Sequence, residues 1–585
     1  MAPVIIGPMK SPLPALLLGL AMVAFALSHA QSPGLDDEAQ SWVESTLGKM
    51  TLDEKIGQVI IGGADSDFTN IRSNKFQEIR KNITRYHVGG YHAFGGELLS
   101  AVFLIRRMQE LASVPLLITA DLEGGTGLIF RGGTRFPKAM ALGATFDPEN
   151  ARRVGRMTAL EAKSIGVHVN FYPVVDVNNN PLNPIINTRS FGEDPEQVSS
   201  MAVAYIKGFQ ENGLLATAKH FPGHGDTSTD SHLQLPVIPA SRERLERVEL
   251  LPFQGAIQAG VRAIMTGHLL VPALEPRKGV PATLSKPIST DLLKQEMGFK
   301  GLVFTDAMNM GGLRHNFGDG EAAVLAFAAG ADLLLFPPSV ENAFQGLRDA
   351  LQQGRISSSR LDESVRRILE VKAGLGLHLV SRSNLSAIDQ QVGAPEQLEL
   401  SQRIMDRAIT LVQDEHHVLP FSPGPNASIL LLTVLDERRR RESRGAAFAA
   451  EFLRRHRQTQ HLEVLPDVSD EKLDSIRELA EDADYVVVGS YIRTADNKGK
   501  FGLSPGEMQL LESLSRGSNP AAFVLFGSPY LLPLVSRLPT YIVAYDDYPG
   551  AELAAVRSIL GEIPFRGKLP VSLSDLYSVG HGIGK

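Results

Sequence analysis

The chain of 585 residues contains no cysteine. That absence excludes disulfides, thiolate metal sites, a cysteine nucleophile and a lipidated cysteine at a leader cleavage site. Aromatic residues are sparse, at 6% of the chain, and Trp42 is the single tryptophan. No large field of one charge sign exists: the formal net charge is −7. Nucleic acid and anionic membranes are therefore not expected as partners. Internal repeats and low-complexity tracts are missing. Long apolar runs are missing as well, with one exception near the start, Leu13 to Leu27. That run is shorter than the roughly 18 residues of a spanning helix. Lys10 precedes it, and Ser28-His29-Ala30 offers small residues for cleavage. Residues 1–30 thus resemble a secretory signal peptide, with an uncleaved single-helix anchor as the alternative. The expected location is secreted or periplasmic in a bacterium. The mature chain is read as a monomer without membrane contact.

What is present is an ordinary soluble composition, 43% hydrophobic and 21% charged, with length for two or more domains. Between residues 50 and 340, short apolar strands alternate with amphipathic segments. Eight strands are expected: 56–63, 88–94, 115–121, 167–177, 214–220, 263–269, 301–307 and 331–337. They lack period-two alternation, as strands buried on both faces do. The intervening stretches, such as 99–113 and 150–166, repeat apolar positions at three and four. Eight such units imply a closed (β/α)8 TIM-type barrel, expected over residues 31–378, with an open doubly wound sheet as the alternative. Residues 341–378 read as helical and 379–400 as a polar linker. Residues 401–585 read as a smaller three-layer αβα sandwich, with strands at 427–435, 484–492, 521–529, 540–547 and 568–573. The basic run Arg438 to Arg441 reads as a solvated helix start.

The densest chemistry is KHFPGHGDTSTDSH, residues 219–232. It holds Lys219, three histidines (His220, His224, His232) and two aspartates (Asp226, Asp230). Pro222, Gly223 and Gly225 forbid regular structure through its middle. A strand that feeds such a loop is a common way to position reacting groups. In a barrel those groups belong at the carboxyl ends of strands. Asp121, Asp176, Lys219, His220, His268 and Asp306 all fall there. Asp306, in FTDAMNM, is placed to attack an electrophilic carbon, though an aspartate before a helix is also a cap. Asp230, two residues before His232, could fix the imidazole tautomer and raise its pKa. A carboxylate nucleophile and a proton shuttle are the minimum set for retaining glycosyl transfer to water.

These motifs, with DLEGG at 121–125, INTRSFGEDP at 186–195 and GEIPFRGKLPVSL at 561–573, resemble glycoside hydrolase family 3, in its NagZ-like β-N-acetylglucosaminidase branch. The resemblance covers nearly the whole mature chain. It implies Asp306 as nucleophile and the His232–Asp230 pair as acid/base. It implies sugar-hydroxyl contacts from Asp121, Arg189, Lys219 and His220, with His268 lining the pocket. Glu123, followed by two glycines, reads as a turn residue. One departure stands out. The family's arginine four residues past the second glycine is here Ile129, so either Arg131 substitutes for it or one sugar contact is missing. The resemblance implies hydrolysis of terminal β-linked N-acetylglucosamine, from peptidoglycan fragments or chitooligosaccharides, with no cofactor and no metal. A β-glucosidase or a sugar phosphorylase of the same family is the near alternative. A metallohydrolase using His220, His224, Asp226 and His232 is the remote one, and it lacks the H-x-H expected on strand one. A non-catalytic sugar-binding protein is a third.

Overall fold

The computed structural model describes residues 1, 35–231, 233–379, 385–436, 439, 442–492 and 501–585. The signal-peptide expectation falls on residues 2–34, outside these, and so does His232.

Eight parallel strands form one sheet: β1 (Ile60–Asp65), β2 (Gly90–Phe94), β3 (Leu117–Ala120), β4 (Val169–Asn170), β5 (Leu215–Phe221), β6 (Ala263–Thr266), β7 (Leu302–Thr305) and β8 (Leu334–Leu335). Their spatial order is β8-β1-β2-β3-β4-β5-β6-β7. The ends meet where Thr305 N–H donates to Leu333 O (3.0 Å) and Leu333 N–H donates to Val303 O (3.1 Å). The sheet is thus a closed barrel, not an open one. All but β5 (Leu215–Phe221) are shorter than the strands expected. The first begins later than expected because residues 52–58 are helical. Thr51 and Glu54 form a reciprocal capping box there, which satisfies the free N–H groups of that helix. The run at 167–177 pairs regularly only at Val169–Asn170. Pro173 lacks the donor that a longer ladder needs.

The surrounding helices follow their capping residues. Pro148–Ile165 starts at Asp147, which accepts from Glu149 N, and stops at the left-handed Gly166. Pro195–Gln210 starts in the same way at Asp194. These two helices touch closely: a Cβ on Gly208 would lie 2.0 Å from Arg152 O, so only glycine permits the contact. As expected, 340–374 is helical, in two pieces. The stretch 379–400 contains the helix Leu385–Gln391 and the start of Pro395–Ala408. The latter buries Leu400, Ile404 and Met405 against both parts of the molecule.

The second sheet has six strands: β9 (Thr410–Asp414), β10 (Ile429–Leu435), β11 (Thr459–Val464), β12 (Tyr485–Tyr491), β13 (Ala521–Leu525) and β14 (Thr540–Val543). Their order is β9-β14-β13-β12-β10-β11, parallel except for β9 against β14. Two of these strands escaped sequence reading. β9 is a short run directly after a helix, and β11 is a polar edge strand. Conversely, 568–573 is not a strand of this sheet. Two of its backbone donors go to the barrel, Lys568 N–H to Ala144 O (3.0 Å) and Ser572 N–H to Glu193 Oε2 (2.9 Å), and Leu569 N–H and Leu573 N–H go to His581 O and Tyr577 O (both 2.8 Å). Met140, Ala141 and Ala144 of the barrel share the sandwich's apolar core. Arg439, the one described member of the basic run, is not solvated; it lies 2.6 Å from the buried Asp547. No described helix is long and apolar enough to cross a membrane.

Candidate functional site

A cavity of about 370 Å³ opens at the carboxyl ends of the barrel strands. One lining residue, His92, is backed by packed aromatic rings. His92 of β2 lies parallel to Phe171 at 5.4 Å, and Phe171 meets Phe304 of β7 edge-on at 5.2 Å. Residues of six strands or their ends (β2, β3, β5, β6, β7 and β8) line it.

Lys219 of β5 is buried and donates to Asp121 Oδ1 (2.6 Å); its Nζ also lies 2.8 Å from Glu123 Oε1. Burial pushes its ammonium pKa down, but the two carboxylates outweigh that and raise it. Arg189 clamps Glu123 with two prongs, Nε to Oε2 (2.9 Å) and Nη2 to Oε1 (2.7 Å), and Nη1 donates to Ile185 O (3.3 Å). Burial would raise the carboxyl pKa of Glu123; Arg189 and Lys219 overcome this and hold it far below the usual range. Asp121, half open to the cavity, offers its second oxygen to His92 Nε2 at 3.4 Å. Burial keeps His92 below the usual imidazole pKa despite Asp121.

On the other side, Asp176 is fully buried and organises the histidine loop. It accepts from His220 N (3.1 Å) and His224 N (2.7 Å), and bonds His220 Nδ1 (2.8 Å). A carboxylate on Nδ1 fixes the orientation of the imidazole. His224 bonds Thr227 and Ser231, each at 3.0 Å, and burial first, then His220, lowers its pKa to about 4. Asp306 follows β7 directly. Its Oδ1 accepts from Ala307 N at 2.7 Å. Burial pushes its carboxyl pKa up, but His220, His268, the Ala307 N–H and Lys219 prevail and lower it. Asp306 is thus an ionised carboxylate on the cavity wall.

The structure therefore brings together Asp121, Arg189, Lys219, His220 and Asp306. Three expected residues among those described are not cavity-lining: Arg131, His268 and Asp230. Arg131 sits on a short ladder (96–97 with 130–131), 63% exposed, paired with Asp67 (3.0 Å) and Glu97 (2.6 Å). Those carboxylates hold its side chain at the surface, away from the cavity lining. His268 is buried behind the wall, with Nδ1 on Thr283 (2.9 Å) and Nε2 on Ala307 O (3.1 Å), so it supports the backbone beside Asp306. Asp230 is buried in the loop; the geometry of its partner His232 lies outside the described residues. Glu123 corrects the sequence reading, since it is the hub of the cationic side and not a mere turn residue. Its position two residues beyond Asp121, on the same strand end, was the signal. His224, weighed in the sequence only as a metal ligand, also lines the cavity, as do His92, Ser231, Asn309 and Phe336, which were not foreseen as site residues. Asp226 turns away to Arg244 (3.4 Å), and among the described residues no three His, Cys, Asp or Glu side chains converge as metal ligands would.

A parallel barrel with ionised groups gathered at its carboxyl end defines a barrel enzyme. Residues 51–371 match the family model described as "Glycosyl hydrolase family 3 N terminal domain". A β-N-acetylglucosaminidase/β-glucosidase of Cellulomonas fimi is 31% identical over 559 residues, 92% of this chain and 96% of that protein. β-Hexosaminidase A of Pseudoalteromonas piscicida is 34% identical over 394 residues, 62% of this chain and 65% of that protein. Among solved structures, a family 3 β-N-acetylglucosaminidase from Paenibacillus sp. str. FPU-7 superposes with a TM-score of 0.79 at 34% identity, covering 90% of this chain and 99% of that one. The β-glucoside phosphorylase BglX superposes with a TM-score of 0.83 at 26% identity, covering 93% and 98%. The chain belongs to glycosyl hydrolase family 3, and it is a glycoside hydrolase.

Proposed function

We propose that the protein is a retaining exo-β-N-acetylglucosaminidase that acts, after export and removal of residues 1–30, as a monomer on wall-derived or environmental sugars. The observation that carries this reading is Asp306: an ionised carboxylate in the cavity wall, facing a cluster suited to hold a sugar. Its carboxylate attacks the anomeric carbon and forms a glycosyl ester, and water then cleaves the ester. Asp121 accepts from sugar hydroxyls, while Lys219 and Arg189 donate. Arg189 uses three of its five N–H groups within the protein, which leaves two for a ligand. His232, oriented by Asp230, protonates the leaving oxygen and later deprotonates water. That assignment rests on the DSH sequence at 230–232 and on the family resemblance.

Two relatives support a second reading. The Cellulomonas protein is named for both N-acetylglucosaminide and glucoside, and BglX is a phosphorylase. Aryl N-acetylglucosaminide and glucoside turnover, each with and without phosphate, separates these activities. Proton NMR of the first-formed sugar tests the mechanism. The β-anomer is expected, and an α-anomer formed first overturns retention.

A further inference from the structure

The Arg189–Glu123 clamp is a barrel feature, but the segments that carry its two halves are both tied to the sandwich. Arg189 sits in the short turn Asn187–Arg189. Asn178 Oδ1 accepts from Asn187 N (3.1 Å) at the start of that turn. Asn178 in turn donates through Nδ2 to the hydroxyl of Tyr530 (3.0 Å), and that hydroxyl donates back to Asn178 O (3.2 Å). Tyr530 belongs to the sandwich and is buried. Just past Arg189 the same loop is tied again. Glu193 accepts from Ser572 N (2.9 Å) and Ser572 Oγ (2.6 Å), and Glu193 N donates to Pro570 O (3.1 Å). Gly192 is pressed so closely here that a Cβ would lie 2.6 Å from Pro570 O.

The other half has its own tie. Gly124 O accepts from Phe136 N (2.8 Å), immediately after Glu123. The segment on either side of Phe136 is anchored to Asp546 of the sandwich, a fully buried carboxylate. It lies 3.3 Å from Arg135 Nη2 and from Lys138 Nζ, and accepts from Lys138 N at 3.0 Å. A clamp between two loops works only if both loops are held in register, because a displacement of about 1 Å is enough to spoil binding geometry.

We propose that the sandwich is a positioning element for the sugar-binding clamp, with Tyr530 and Glu193–Ser572 setting the Arg189 loop and Asp546 setting the Glu123 turn. This rests on the reading of the cavity as the glycoside site. None of these residues touches the cavity, so they act through Arg189 and Glu123.

A double-mutant cycle on the full-length protein tests the proposal. Tyr530→Phe removes one hydroxyl, and Arg189→Lys keeps a charge but loses the two-pronged grip. Steady-state kinetics are measured on whichever aryl glycoside the wild type turns over. In the wild-type background, Tyr530→Phe is expected to lower kcat/KM about tenfold, mostly through KM, with little change in melting temperature. In the Arg189→Lys background the same change should cost less than about twofold. Equal losses in both backgrounds, or no loss in either, overturn the proposal. Should Tyr530→Phe fail to fold, the same cycle with the near-isosteric Glu193→Gln decides it by the same criterion. Failure of the N-acetylglucosaminidase reading would show separately, as a wild type that prefers glucoside or needs phosphate.

Discussion

Glu123→Gln tests the electrostatic core of the site. The substitution keeps the shape of the side chain but removes a charge that three short contacts share, at 2.7 and 2.9 Å to Arg189 and 2.8 Å to Lys219. It also presents an amide N–H₂ toward groups that can only donate. Of the two carboxylates in contact with Lys219, only Asp121 then remains. Removal of one member of a buried, hydrogen-bonded charge set costs about 3–5 kcal/mol. Glu123 retains 15% exposure, and the amide oxygen keeps one contact, so the lower end, about 3 kcal/mol, is expected at pH 7. The pH dependence follows from linkage. Arg189 and Lys219 hold the folded carboxyl below its unfolded value, so the stabilisation is fully present above the unfolded pKa, about 4.3. It is lost as pH falls through the lower, folded pKa. Urea unfolding of wild type and variant at pH 7 and at pH 3 measures both effects. The gap should be wide at pH 7 and narrower at pH 3. A loss below about 1 kcal/mol at pH 7, or an equal gap at both pH values, would refute the reasoning.

Asp306→Ala should fold normally and lose about 1000-fold or more in kcat, because water alone cannot replace a covalent nucleophile; retention of roughly a tenth of wild-type turnover would make Asp306 a cap and nothing more. His232→Ala should slow a dinitrophenyl glycoside far less than a substrate with a sugar leaving group, show a burst of phenolate, and be accelerated by azide; Asp230→Asn should show a weaker form of the same pattern. Equal slowing of good and poor leaving groups, with no azide rescue, would assign His232 to binding. Arg131→Ala should leave KM for aryl N-acetylglucosaminide unchanged, since the side chain is held outside the cavity by Asp67 and Glu97; a several-fold rise in KM would return Arg131 to the sugar site.

Much of this molecule was legible in the sequence. The eight barrel strands could be read because a strand buried on both faces must be apolar throughout, and the helices because their exposed faces break the apolar pattern at a fixed period. Asp121, Lys219, His220 and Asp306 could be read because a barrel delivers the residues at its strand ends to one place. Strand ends misread, such as residues 56–58, were decided by a capping box at Thr51 and Glu54 that outcompeted the apolar run. The segment 568–573 has a strand-like sequence, yet it joins no sheet, and its Ser572 N–H donates to Glu193 of a barrel loop 379 residues away in the chain.

What only the tertiary structure decided are the partnerships. Glu123 and Arg189 are 66 positions apart, Asp121 and Lys219 98 apart, Asn178 and Tyr530 352 apart. Periodicity constrains a residue's immediate neighbours and says nothing of which distant charge it will meet. A charge brought into the interior must still find its partner there, because the cost of burying it alone is too high. The sequence therefore determined the barrel and the residue types at its mouth. The fold determined that Glu123 is a hub, that Arg131 stays at the surface, that His268 stands behind the wall, and that the sandwich holds both loops of the clamp.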